Sequence, residues 1–190
     1  MKILGLSGSL RAASHHPALL RAAADLAPHG MTVELYERMR ELPPYDQDTD
    51  TDVAPEPVAD LRRRIREADG VLIATPEYNY GVPGVLKNAI DWASRPAADS
   101  SLQGKPLAIM GAAPTNFGTV RAQLVLRQCF LWIDARVVGK PEVVVFRSQD
   151  RFDAAGNLVD ERTKGLVSDL LLALGAKVRE TEALAGALAA

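Results

Sequence analysis

Five short apolar runs alternate with longer amphipathic stretches along this chain, and no other feature restricts its fold as much. The short runs are residues 2–7 (KILGLS), 32–36 (TVELY), 70–75 (GVLIAT), 106–112 (PLAIMGA) and 135–146 (ARVVGKPEVVVF). Most are continuously apolar, which predicts strands covered on both faces. Residues 14–26, 56–68, 82–93, 119–132 and 160–174 instead carry apolar side chains at helical spacing. Strands and helices alternating in this way predict an α/β protein, a parallel sheet with helices on both faces. Ligands of such a sheet gather at the carboxyl ends of its strands.

The 190 residues are most simply one domain, 1–190, since no repeat or linker divides them. A net charge of −2 shows no basic excess, so nucleic acid is not an expected partner. No apolar run of about 18 residues predicts a membrane span. The apolar start of the chain is interrupted by Ser7 and Gly8 and lacks a cleavage pattern, so it reads as a buried strand. Cys129 is the only cysteine; it is expected to be a small buried apolar residue in a protein of a reducing, cytoplasmic compartment. Residues 41–57 (ELPPYDQDTDTDVAPEP) read as a solvated acidic loop. Asp46, Asp48 and Asp50 have the opening spacing of a calcium loop, but Thr51 and Pro57 replace its obligatory glycine and glutamate, so no metal is expected.

The loop after the first run, GLSGSLRAAS (residues 5–14), has the chemistry of an anion site. Gly8 permits a sharp turn, Ser14 suits the N-cap of the next helix, and Pro17 falls in its first turn. Amides at a helix start carry partial positive charge, to which Ser9, Ser14 and the forked donors of Arg11 add. The glycine spacing fits neither the dinucleotide fingerprint nor a P-loop. One terminal phosphate suits this set better than a pyrophosphate does.

A second loop, TPEYNYGVPGVLKNAIDW (residues 75–92), follows the third run. Its prolines restrict the backbone, and its glycines admit close approach around Glu77, Tyr78, Asn79 and Tyr80. Such a loop suits a planar ligand with a polar edge. A single phosphate at one end and a planar ring at the other, in a five-stranded doubly wound sheet, describe FMN.

Taken together, GSLRAAS and PEYNYGVPGVLKNAIDW resemble the NAD(P)H-dependent FMN reductase family, which includes flavin, quinone, azo-dye and chromate reductases. The resemblance extends to about Leu174. It implies a flavodoxin-like three-layer sandwich whose five-stranded parallel sheet has the order 2-1-3-4-5. It implies that Ser9, Arg11 and Ser14 hold the FMN phosphate, and that Pro76, Glu77, Tyr78, Asn79, Tyr80 and Gly81 wrap the isoalloxazine ring, largely through backbone groups. His16 stands where the family usually has a small polar residue, often Asn; a histidine there can still donate to the phosphate. A third stretch, GAAPTNFGTVRAQ (residues 111–123), keeps Gly118, Arg121, Ala122 and Gln123 of the family pattern but has Pro114 in the loop and Thr119 for a glycine. Its loop is expected to flank the flavin. Arg121 has two readings there, a phosphate contact or a structural ion pair.

The implied chemistry is hydride transfer from NADPH or NADH to bound FMN, then onward to a quinone, azo compound, free flavin or metal oxyanion. One pocket used twice predicts ping-pong kinetics. The sequence requires no side chain as acid or base; Tyr80 is a candidate for shaping the acceptor pocket. The alternatives are a flavodoxin-type electron carrier and a flavin-binding sensor without turnover. On residues 119–134, Ala122, Val125, Leu126, Cys129, Phe130, Trp132 and Ile133 form a broad apolar arc, and Val120, Leu124 and Leu131 a second stripe. One arc can cover the sheet; the second predicts a homodimer, with a tetramer as the larger alternative.

Overall fold

The computed structural model describes all residues except Asp52 and Ala190, and all side chains except those two, Leu188 and Ala189. The strands are β1 (Lys2–Ser7), β2 (Thr32–Leu35), β3 (Gly70–Ala74), β4 (Pro106–Ala112), β5 (Arg136–Val137) and β6 (Val143–Val145). The helices are α1 (His15–Asp25), α2 (Glu56–Glu67), α3 (Gly84–Ala93), α4 (Val120–Ile133) and α5 (Glu161–Ala189). The sheet is parallel throughout, in the order β2-β1-β3-β4-β5, with β6 also paired to β4. This is the expected flavodoxin-like arrangement.

Alternate residues of each central strand enter opposite cores. Ile3, Leu72, Ala74, Ala108 and Met110 pack with α1 and α5 through Leu19, Leu20, Val167 and Leu171. Leu4, Leu6, Val71, Ile73, Leu107 and Ile109 pack with α2, α3 and α4 through Leu61, Ile65, Leu86, Trp92, Leu126 and Phe130. β3 and β4 are buried at every residue, which explains their unbroken apolar runs.

Four expectations need correction. The fifth run, residues 135–146, is two strands rather than one. β5 pairs with Pro106 and Leu107 at the start of β4, and β6 with Met110, Gly111 and Ala112 at its end. Gly139 and Pro141 lie between, and a proline has no N–H for the ladder. The last helix passes the expected end at Leu174 and runs to Ala189; Gly175 continues it instead of capping it, and the alanine-rich sequence beyond holds no proline to break it. On α4, Val125 and Trp132 belong outside the sheet-covering arc: both are exposed, and Trp132 is 91% accessible. Gln123, a polar residue, is buried and donates to the Val143 carbonyl at 3.0 Å. That bond turns the helix so that Ala122, Gln123, Leu126 and Phe130 face inward. Cys129, expected to be buried, is half-buried at the edge of this face.

Asp46 caps a 3-10 turn at Gln47–Thr49, and Asp50 pairs with the buried Arg62 at 2.8 Å.

Candidate functional site

Three loops meet at the carboxyl edge of the sheet, following β1, β3 and β4. The first starts at Gly8, whose N–H donates to the Ala74 carbonyl at 2.8 Å. A Cβ added at Gly8 would lie 2.9 Å from Cδ of Pro76 and 3.2 Å from a methyl of Leu86. Only glycine lets the first loop close this tightly on the second.

Serine hydroxyls organise the first loop. Ser7 Oγ donates to the Ser9 carbonyl (3.0 Å) and accepts the Ser9 N–H (3.2 Å), and Ser9 Oγ accepts the Arg11 N–H at 3.4 Å. Ser14 is the N-cap of α1, with extended backbone and a hydroxyl that accepts the His16 N–H at 3.3 Å. Among the described residues, the N–H groups of Ala12, Ala13 and His15 meet no acceptor. Arg11 is exposed and has no carboxylate partner among the described residues. Free amides at a helix start, one guanidinium and no acidic residue between Gly8 and Ser14 form a donor set that fits a phosphate monoester.

Both histidines of this helix are engaged. His16 is buried; its Nδ1 is 2.9 Å from Ser14 Oγ, and its Nε2 accepts the Ala112 N–H at 3.4 Å. Burial depresses its pKa to about 4, outweighing the backbone of Ala112, which raises it; the charge of His15 lowers it further, the backbone of Thr75 raises it, and the charge of Arg11 adds the smallest lowering. His16 therefore faces inward, beneath the loop. His15 stacks on Phe152 with ring centroids 4.4 Å apart, and its Nδ1 is 2.8 Å from Ser148 Oγ. Burial, then the charge of Arg11, lowers its pKa as well. Ser148 and Phe152 thus brace the start of α1, a role with no local signal, since Ser148 lies 133 residues away.

The second loop is a tight turn. Tyr78 and Gly81 exchange backbone hydrogen bonds of 3.1 and 2.9 Å, with Asn79 (φ 49°) and Tyr80 (φ 66°) left-handed between them. That geometry suits Asn and costs energy at Tyr80. Tyr78, Asn79 and Tyr80 are exposed, whereas Pro76 is buried. The N–H groups of Glu77, Asn79 and Tyr80 have no acceptor among the described residues, which fits the polar edge of a flavin ring.

Glu77 turns inward. Its carboxylate accepts the N–H groups of Arg121 (3.0 Å) and Ala122 (3.2 Å) and the Arg121 Nε at 2.6 Å. Of the two readings of Arg121, the geometry matches the structural ion pair. Its guanidinium also lies 3.6 Å from the Tyr80 ring centroid, with Phe117 at 5.4 Å. In the third loop, Thr119 takes the space beside Gly111, where an added Cβ would collide with its hydroxyl and with the Thr75 carbonyl. Bonds from Ser148 N to Ala113 O (3.0 Å) and Arg147 N to Thr115 O (3.2 Å) tie this loop to the segment after β6.

Comparison with known proteins shows the family and the fold. Residues 1–150 match the family model described as NADPH-dependent FMN reductase. An NAD(P)H-dependent FMN reductase of Pseudomonas aeruginosa is 46% identical over 179 residues, which cover 94% of this chain and 96% of the relative. A 2-hydroxy-1,4-benzoquinone reductase of Burkholderia sp is 41% identical, covering 95% and 97%. Among solved structures, FerB, a flavoenzyme NAD(P)H:(acceptor) oxidoreductase of Paracoccus denitrificans, superposes with a TM-score of 0.85 at 33% identity, over 95% of this chain and 98% of its own. The loop chemistry and the full-length similarity converge: this chain belongs to the NADPH-dependent FMN reductase family of flavodoxin-like oxidoreductases.

Proposed function

We propose that this chain holds FMN across the three loops and uses it to pass reducing equivalents from NADPH or NADH to small-molecule acceptors. The observation that carries the reading is the first loop: amides of Ala12, Ala13 and His15 and an Arg11 side chain that have no partner among the described residues, with the hydroxyls of Ser9 and Ser14. These groups would hold the phosphate. Pro76, Glu77, Tyr78, Asn79, Tyr80 and Gly81 would hold the ring, Glu77 through its backbone because its carboxylate is committed to Arg121 and α4. When bound, the flavin supplies the redox chemistry, accepting a hydride and returning it to an acceptor. The protein contributes orientation: Gly8 closes the first loop on the second, and Arg121 holds Tyr80 at the rim, where it would shape the acceptor pocket.

Quinones are the first acceptors to test, since the Burkholderia relative is named for a benzoquinone. Azo compounds, free flavins and metal oxyanions follow from the same chemistry. We place the protein in the cytoplasm on its single, unpaired cysteine. Among the described residues no helix is long and apolar enough to cross a membrane.

The exposed surface of α4 supports a homodimer, with a tetramer as the larger alternative. Val120, Leu124, Val125, Leu131 and Trp132 lie outside the protein's own core, and Trp132 is 91% accessible. An apolar surface of this extent marks a protein contact.

The deciding experiment is an absorbance spectrum of purified protein with FMN, before and after anaerobic NADPH or NADH. Flavin bands that bleach, followed by steady NADPH consumption on adding quinone, are expected. No flavin uptake would sink the reading; bands that neither nucleotide bleaches would favour an electron carrier or a sensor.

A further inference from the structure

We infer that His16 is a positioning residue that makes Ser14 a dedicated hydrogen-bond donor to the FMN phosphate and does not touch the phosphate itself. The inference rests on the FMN reading above and assigns a role within that site.

The Ala112 N–H can only donate, so His16 Nε2, 3.4 Å from it, is the unprotonated ring nitrogen. A neutral imidazole then carries its proton on Nδ1, which donates to Ser14 Oγ at 2.9 Å. The same Oγ accepts the His16 backbone N–H at 3.3 Å. Both acceptor positions of the hydroxyl are filled, and its O–H must point away from both donors. Among the described residues that proton has no acceptor.

Ser14 sits at the N-cap of α1, beside the free amides of Ala12, Ala13 and His15. A phosphate seated on those amides is the acceptor that the hydroxyl lacks. Without the ring, the serine hydroxyl would rotate freely and only sometimes present its proton. The histidine removes that freedom, which lowers the cost of ordering the site on binding. Burial keeps the ring neutral at physiological pH, so this tautomer persists. The charged groups facing it are Arg11 and His15, both on the loop side.

Two substitutions separate this role from simple packing. His16→Asn puts an amide nitrogen near the place of Nδ1, keeping the Ser14 contact and losing the Ala112 contact. His16→Gln puts an amide oxygen near the place of Nε2, where it can accept the Ala112 N–H, and loses the Ser14 contact. Affinity is read by quenching of FMN fluorescence on titration with apo-protein, alongside riboflavin, which lacks the phosphate. His16→Gln should weaken FMN binding about tenfold, and His16→Asn by no more than about twofold. Neither should change riboflavin binding, and in a Ser14→Ala background the difference between the two should vanish. Equal losses in both variants, matching losses for riboflavin, or a difference that survives Ser14→Ala would overturn the inference. Wild-type protein that binds no flavin would instead overturn the proposed function.

Discussion

Arg121 Nε lies 2.6 Å from Glu77 Oε1, a bond that ties the turn after β3 to the first residues of α4. The Glu77 side chain is almost fully buried and also accepts two amides of that helix start, so it acts as an acidic cap supplied from another loop. Arg121 is a third exposed, which screens its half of the pair. Glu77→Gln should lower stability by about 1–3 kcal/mol, measured by urea denaturation of the apo-protein. A change below about 0.5 kcal/mol would show that the pair is decorative.

Arg11 should act on the ligand and not on the fold. It is exposed and has no carboxylate partner among the described residues. Arg11→Ala should weaken FMN binding by about 1.5–3 kcal/mol, the scale of a charge-assisted hydrogen bond. Unfolding of the apo-protein should shift by less than about 0.5 kcal/mol. Unchanged FMN affinity in an isothermal titration would remove Arg11 from the phosphate site.

Gly8 is the contact between two loops. A methyl group there would press on Pro76 at 2.9 Å and on Leu86 at 3.2 Å. Gly8→Ala should cost about 1–3 kcal/mol through overpacking and displace the first loop. Both the melting temperature and FMN affinity should fall; full flavin affinity in the variant would mean that the loops can separate without harm.

His16 predicts an acid limb in the stability profile. Its folded pKa of about 4 lies below the ordinary histidine value of 6.5. The unfolded chain therefore binds the proton more readily, and stability falls as the pH drops from about 6.5 towards 4. Above that window the contribution is fully present. The full effect is about 2–4 kcal/mol at 1.36 kcal/mol per pKa unit. Other carboxylates of lowered pKa, Asp153 and Asp160 among them, add their own acid loss. The measurement is thus the difference in acid slope between wild type and His16→Gln, and identical slopes would refute it.

The α4 surface predicts self-association. Trp132→Glu should shift the protein from dimer or tetramer to monomer in sedimentation velocity. Its melting as a monomer should be little affected, since Trp132 makes almost no contact within its own chain. A wild-type monomer at micromolar concentration would end the dimer proposal.

Much of the fold can be read along the chain because its signals are local. A doubly covered strand is a continuous apolar run, as at Gly70–Ala74 and Pro106–Ala112. A helix start is a serine followed shortly by a proline, as at Ser14 and Pro17. The loops at the strand ends announce themselves by glycine, proline and hydroxyl content. Those signals mark Ser9–Ser14 and Pro76–Gly81, the two loops proposed to hold the flavin. Helical spacing on α4 identified apolar residues but not which of them face inward, because Gln123 satisfies its amide against Val143 and takes an inner position.

What the folded chain alone settles is the partner of each polar group. Glu77 meets Arg121 across 44 residues, His16 meets Ala112 across 96, and His15 meets Ser148 across 133. No spacing rule relates such positions. Parallel strands return distant segments to one edge, and each buried donor or acceptor there must take whatever complement the packing brings within reach.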